Sequence, residues 1–234
     1  MSKRQEIRQR RQKERTRNRV LVISLVAVGA LLIASALILP GISKNKTPVI
    51  AVTPKAIYSQ ENGSHLGDPN APVKVDIFED FRCSGCLYYH LNIEPQIIQT
   101  YVITGKVYYS FHSYLIIDIN DGSDASYRSI NAALCAGEQG RFWDFHDTLF
   151  ANQVTESASL FTDERLNTMA QNLKLDMSAF NQCYKAKRFA SEIQDDMTQA
   201  QTLQLRGTPS ALVNGTLVQV DQLASAIDTA LAGK

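Results

Sequence analysis

Apolar residues recur along this chain with several spacings, and the spacings divide it into segments. From Val20 to Leu39, "VLVISLVAVGALLIASALIL", they are nearly continuous, an uncharged run of 20 residues. At a helical rise of about 1.5 Å per residue, such a run covers the roughly 30 Å hydrocarbon core of a bilayer, so a single transmembrane helix is expected over 20–39. Between Pro40 and Ser64 no period persists and three prolines intervene. This segment is expected to be a tether, with one short edge strand near Ile50–Val52 or Ala56–Tyr58.

Past residue 65 the spacings are those of an ordered domain. Val73, Val75 and Ile77 alternate within Ala71–Phe81 and predict a strand. Leu87, Leu91, Ile97, Ile98, Tyr101 and Val102 recur at helical intervals from Ser84 to Thr104, and Pro95 is expected to bend that helix. Lys106–Tyr114 reads as a second strand. Helices are then expected over Asp124–Gly140, Arg141–Gln153, Thr162–Leu173 and Asp176–Leu205, the last starting at Ser178 and breaking near Lys185. Two short strands flank Asn214-Gly215, a pair favoured in type I′ hairpin turns. A final helix is expected to be capped by Asp221. Residues 65–234 suit one α/β domain with a sizeable core.

Charge changes the reading of the N-terminus. Residues 1–19 carry nine Lys or Arg against two acids. The whole chain has 24 basic and 23 acidic side chains, which leaves 15 basic and 21 acidic, net −6, for residues 20–234. A basic arm on one side of an apolar span stays cytoplasmic, so the large C-terminal domain is expected outside the cell membrane. The arm is read as a topology determinant in weak contact with lipid headgroups rather than as a nucleic-acid binder. A cleavable signal peptide is the rival, because Ala34–Ala36 are small. They lie inside an overlong apolar run, which favours an uncleaved signal anchor.

The candidate chemistry lies in "FEDFRCSGCLYYH", where Cys83 and Cys86 stand at the junction between the first strand and the first helix. Outside the cytoplasm an even cysteine count favours disulfides, and four cysteines allow three pairings. Residue reading leaves all three open, with 83–86 plus 135–183 the simplest. A four-thiolate zinc site is disfavoured because Cys135 and Cys183 lack close partners, and a copper site would draw on His112. Redox chemistry fits best. A thiol at the N-terminus of a helix meets free N–H groups and a positive dipole end, which makes Cys83 acidic and nucleophilic. Cys86, one turn on, is its resolving partner, and Ser84 and Gly85 leave the rim uncrowded.

"LGDPNAPVKVDIFEDFRCSGC" (66–86), "CAGEQGRFWDFHDTLF" (135–150) and "LRGTPSALVNG" (205–215) together resemble the DsbA-like branch of the thioredoxin superfamily, the membrane-anchored bacterial group. The resemblance implies a thioredoxin fold with a helical insertion over 65–234. It implies a cis-proline at Pro209, with the Thr208 backbone pairing to substrate, and a second disulfide between Cys135 and Cys183. It also implies an oxidase acting on exported cysteine-containing proteins, recycled by a quinone-linked membrane partner of the DsbB or vitamin K epoxide reductase type. No cofactor and no metal are expected beyond the Cys83–Cys86 pair. A monomer is expected, because no dimerisation domain precedes residue 65.

Two departures from the family pattern matter. Ser84 replaces the usual proline after the nucleophile, and Ile77 occupies the place of a buried carboxylate, with Asp76 and Glu79 as substitutes. Thr208 keeps a reductase or isomerase open, and a metal-handling module is the more distant alternative. His90 is read as a packing residue that is able to tune the thiols. Phe142, Trp143 and Phe145 are read as core, and His146 with Asp147 as a satisfied structural pair. Arg82 either supports the thiolate or is solvated.

Overall fold

The computed structural model describes residues 13–16, 18–30, 48–53, 55, 61–154 and 156–233. The chain divides into two units, Met1–Pro48 and Val49–Lys234. In the first, residues 13–16 and 18–30 are helical. Among the described residues no helix is long and apolar enough to cross a membrane. The second half of the apolar run, 31–39, lies outside them, as does the alternative edge strand at 56–58.

The second unit is built on a six-stranded sheet. Its strands are β1 (Glu61–Asn62), β2 (His65–Leu66), β3 (Val73–Glu79), β4 (Val107–Ser113), β5 (Ser210–Val213) and β6 (Thr216–Val218), in the order β1-β2-β4-β3-β5-β6. β3 is central, parallel to β4 with Val73 opposite Val107, and antiparallel to β5 with Phe78 opposite Ser210. Val73, Val75 and Ile77 are fully buried, as their alternation predicts, but Phe78 is buried too. A strand covered on both faces loses strict alternation. Ile50–Val52 forms no strand. The sheet edge is instead made by Glu61–Asn62, so the segment expected as a tether over 40–64 contributes to the fold. Gly67 accounts for the glycine of "LGDPNAPV": its φ is +95°, and a Cβ there would lie 2.8 Å from the Val107 carbonyl oxygen.

The helix expected over 84–104 is broken as Pro95 requires. α1 (Ser84–Asn92) ends before Ile93, α2 (Glu94–Ile97) carries Pro95 in its first turn, and Ile98–Val102 continues as a π turn. Between β4 and β5 lies the helical insertion: α3 (Ile116–Asp121), α4 (Ala125–Gly137), α5 (Phe142–Ala151), α6 (Asp163–Asn172), α7 (Met177–Lys185) and α8 (Ala190–Thr202). The expected break near Lys185 is present. The α7 start is set by Asp176 rather than Ser178, because the Asp176 carboxylate accepts the N–H groups of Ser178 and Ala179. Asn214 and Gly215 both have positive φ, at 49° and 80°, as a type I′ turn needs. The expected Asp221 cap is not formed. Val220–Gln222 is a 3-10 turn, and the last helix, α9 (Leu223–Ala232), starts two residues after Asp221.

Two cross-links hold the insertion together and to the sheet. Cys135 of α4 and Cys183 of α7 form a disulfide with a Cα–Cα distance of 5.8 Å and a sequence separation of 48. His112 of β4 sits between two carboxylates, with Nδ1 2.7 Å from Asp196 Oδ1 and Nε2 3.3 Å from Asp76 Oδ1, and its ring stacks on Phe78. Neither the copper role considered for His112 nor a proton-shuttling role for Asp76 fits this clamp, which ties α8 to the sheet.

Two stability predictions follow from these links. The Cys135→Ala/Cys183→Ala variant is expected to lose about 4 kcal/mol, the chain-entropy value for such a loop, in denaturant unfolding. Burial opposes charge on His112, but the hydrogen bonds and charges of Asp196 and Asp76 outweigh it and lift its pKa to about 9. A histidine whose folded pKa lies above its unfolded value stabilises fully below about pH 6.5, and that stabilisation is lost as pH rises through about 9. Thermal melts should therefore show wild-type stability falling across that window, and His112→Gln should flatten the fall.

Candidate active site

The antiparallel pairing of β5 with β3 decides where the active site forms. With Ser210 opposite Phe78, the loop before β5 lies at the C-terminal end of β3, where the chain turns into α1. The Thr208–Pro209 peptide bond is cis. Cys83 is the N-cap of α1, in extended conformation, and its Sγ lies 3.3 Å from the Thr208 carbonyl oxygen. The sequence blocks around residues 83 and 209, more than 120 positions apart, thus meet in one site. Gly85 makes this possible: a Cβ at that position would approach the Thr208 carbonyl oxygen to 3.2 Å and Pro209 Cδ to 3.3 Å. Ser84 is exposed, and its N–H donates to Glu156 Oε1 at 3.3 Å.

The two sulfurs differ in environment. Cys83 is partly exposed, whereas Cys86 is fully buried, and both are free thiols. A hydrogen bond from the Cys86 thiol, opposed by burial and helped by the Thr208 side chain and the N–H groups of Cys86 and Gly85, brings Cys83 down to about 6. Burial, reinforced by the negative charge of Glu79, pushes Cys86 well above the ordinary thiol range. Near neutral pH one sulfur is therefore a thiolate and the other a thiol. That is the division of labour between a nucleophile and a resolving cysteine.

Residues that sequence reading placed loosely now have definite positions. Arg82 is neither solvated nor aimed at the thiolate. It is 1% exposed, and its guanidinium donates to Asp118, Asp121, Ser123 and the Glu156 carbonyl. Asp80, which no motif singled out, accepts the N–H groups of Arg82 and Ile117. Together they clamp the Cys83 loop to the start of the insertion. Phe142, Trp143 and Phe145 are core residues, as read from their spacing. His90 packs on Phe150 and bonds to Glu94. Of the two substitutes for the carboxylate absent at Ile77, Glu79 is the one whose charge bears on Cys86. His146 and Asp147 do pair, with Nδ1 3.5 Å from Asp147 Oδ1, and Asp147 Oδ2 also takes the Lys55 ammonium at 2.6 Å; the contact is long, and neither His146 ring nitrogen makes a short hydrogen bond.

Comparison with known proteins agrees with this geometry. The thioredoxin family model matches residues 59–231. The chain belongs to the thioredoxin family. It is 30% identical over 179 residues to the probable disulfide bond formation protein D of Bacillus anthracis, covering 75% of this chain and 81% of that protein. It is 27% identical over 179 residues to disulfide bond formation protein D of Bacillus subtilis, covering 72% and 77%. Among solved structures, oxidised BdbD from Bacillus subtilis aligns with a TM-score of 0.65 at 24% identity, over 80% of this chain and all of that one. Wolbachia pipientis alpha-DsbA1 aligns with a TM-score of 0.62 at 22% identity, over 74% and 92%. The fold is thus the DsbA-type thioredoxin fold with a helical insertion. The Cys83 thiolate, the buried Cys86 thiol and the cis-proline loop make this family member a thiol–disulfide oxidoreductase.

The acidity of Cys83 has a direct readout. Thiolate absorbance of the reduced protein at 240 nm is expected to titrate with a midpoint near 6 and to lose that step in Cys83→Ser. A midpoint above 8 would mean that the helix end and Cys86 do not stabilise the charge.

Proposed function

We propose that this thiol–disulfide oxidoreductase is an oxidase, anchored by residues 20–39 with its N-terminus cytoplasmic, that forms disulfides in exported proteins. The observation that carries the direction is the contrast between an acidic, accessible Cys83 and a fully buried, high-pKa Cys86. Stabilising the Cys83 thiolate lowers the free energy of the reduced dithiol, which makes the disulfide form a stronger oxidant. The names of the relatives, disulfide bond formation protein D, support the same direction. The charge asymmetry around Val20–Leu39 supports the topology.

In the proposed cycle a substrate thiolate attacks Sγ of Cys83 in the closed Cys83–Cys86 disulfide. The enzyme S–S bond breaks, a substrate–Cys83 bond forms, and the Cys86 sulfur leaves and takes up a proton. A second substrate thiolate then attacks the substrate sulfur of that mixed disulfide and expels Cys83. Cys83 departs readily because its thiolate is stable. The substrate has lost two electrons and two protons and gained a disulfide, while the enzyme holds a dithiol. The Thr208 backbone next to Pro209 would pair with an extended substrate segment alongside Cys83. A quinone-linked membrane partner of the DsbB or vitamin K epoxide reductase type would remove the two electrons.

Stoichiometric oxidised enzyme, mixed with a reduced unfolded substrate containing two cysteines, is expected to yield oxidised substrate and reduced enzyme. Cys86→Ser, first loaded as a Cys83–thionitrobenzoate mixed disulfide, is expected to release thionitrobenzoate to a reduced single-cysteine substrate and to keep that substrate on Cys83 as an adduct that dithiothreitol releases, and Cys83→Ser to accumulate none. An enzyme whose reduced form reduces substrate disulfides, while its oxidised form leaves thiols untouched, would reverse the proposed direction.

A further inference from the structure

Next to the active site, four elements converge on a set of buried ionisable groups, of which only Glu79 bears on the disulfide pair, through its charge near Cys86. Glu79 ends β3, His90 lies in the last turn of α1, Glu94 opens α2, and His146 and Asp147 belong to α5. Glu79 and His146 are fully buried, Glu94 and Asp147 nearly so, and the His90 side chain is 11% exposed. One ligand atom each from His90, Glu94 and His146 lies within 4.8 Å of the other two.

Their hydrogen bonding is incomplete. Neither ring nitrogen of His146 and neither carboxylate oxygen of Glu79 has a hydrogen-bond partner. Buried polar groups of this kind cost about 1–3 kcal/mol each when nothing satisfies them, and more when charged. His146 Nε2 has two carboxylate oxygens at the same distance, Glu79 Oε1 and Glu94 Oε1, each 3.8 Å away. That separation is too long for an N–H to bond either oxygen. It is near the spacing of two ligands on a common ion, which sit about 3.4 Å apart in a tetrahedral shell with bonds of about 2.0–2.1 Å.

We propose that the protein binds one divalent first-row transition-metal ion, zinc best suiting its ligands, between His90, Glu94 and His146. Glu79 Oε1, 3.8 Å from His146 Nε2, borders this set. Two imidazoles with carboxylates favour zinc over calcium or magnesium, which take oxygen ligands. The carboxyl groups of Glu79, Glu94 and Asp147 lie 3.5–3.8 Å from the His146 ring nitrogens, and the Lys55 ammonium lies 2.6 Å from Asp147 Oδ2. The outer contacts are those of a supported site, with the Tyr109 hydroxyl donating to Glu94 Oε1 at 3.2 Å and Tyr89 bonded to Tyr109 at 2.8 Å. The ion would enter at the His90 and Lys55 edge, where the Lys55 side chain is 49% exposed. It would join β3, α1 and α2 to α5 of the insertion.

The test uses full-length protein with Cys83 and Cys86 oxidised, so that their thiols cannot compete. Zinc is added, excess is removed, and metal content is measured by mass spectrometry. One equivalent is expected, with Co2+ in its place giving visible d–d bands without a sulfur-to-metal charge-transfer band. A hundredfold excess of zinc over Kd should raise Tm by about 5–10 °C. His90→Gln and Glu94→Gln should each weaken binding at least tenfold and abolish the zinc-dependent shift, and the variants' own melts report whether they fold. The Cys83→Ser/Cys86→Ser variant should bind zinc as the wild type does. Absence of stoichiometric metal, unchanged affinity in both single variants, or loss of binding in the double-cysteine variant would each overturn the proposal.

Discussion

The contact on which the site depends is the approach of the cis-Pro209 loop to the N-terminal end of α1, where Cys83 Sγ meets the Thr208 carbonyl at 3.3 Å. It requires the β3–β5 register, a helix that starts immediately after Cys83, and a residue without a side chain at position 85. Each of these comes from a different part of the chain. Together they fix one sulfur at a positively polarised helix end and leave the other in the core.

Burial then converts this placement into chemistry. The two thiols are three residues apart, yet one is pushed down to about 6 and the other well above its ordinary range. The helix geometry alone would favour thiolate character at Cys83; it is the apolar enclosure of Cys86, with Glu79 beside it, that keeps the second proton on. The clamp of Asp80 and Arg82 onto Asp118, Asp121 and Ile117 holds this arrangement against the insertion. The insertion is therefore part of the scaffold that sets the reactivity of the pair.

Much of this was legible in the residues because it is encoded locally. Alternation gave β3, the break at Pro95 followed from the lost N–H, and Asn214-Gly215 announced its turn. The Cys83–Cys86 spacing at a strand-to-helix junction pointed to redox chemistry, and the three family blocks placed Pro209 and the Cys135–Cys183 bond. What was not legible is non-local or too short to show a period. Strands of two residues at Glu61–Asn62 and His65–Leu66 have no alternation to detect. Asp221 looked like a cap but lies within a 3-10 turn. Arg82 left two readings, support for the thiolate or solvation, and showed none of its actual partners because these lie 36 to 74 positions away. Glu79, His90, Glu94 and His146 carry no shared spacing, and only the packing of β3, α1, α2 and α5 brings them together.

The central claim is that stabilising the Cys83 thiolate makes the Cys83–Cys86 disulfide oxidising, despite Ser84 in the place of the family's usual proline. The most direct measurement is the reduction potential of that pair in the purified protein, equilibrated with glutathione buffers and read by thiol alkylation. The account predicts a value near the oxidising end of the family, about −120 mV. A value near −270 mV, the range of thioredoxin, would contradict it.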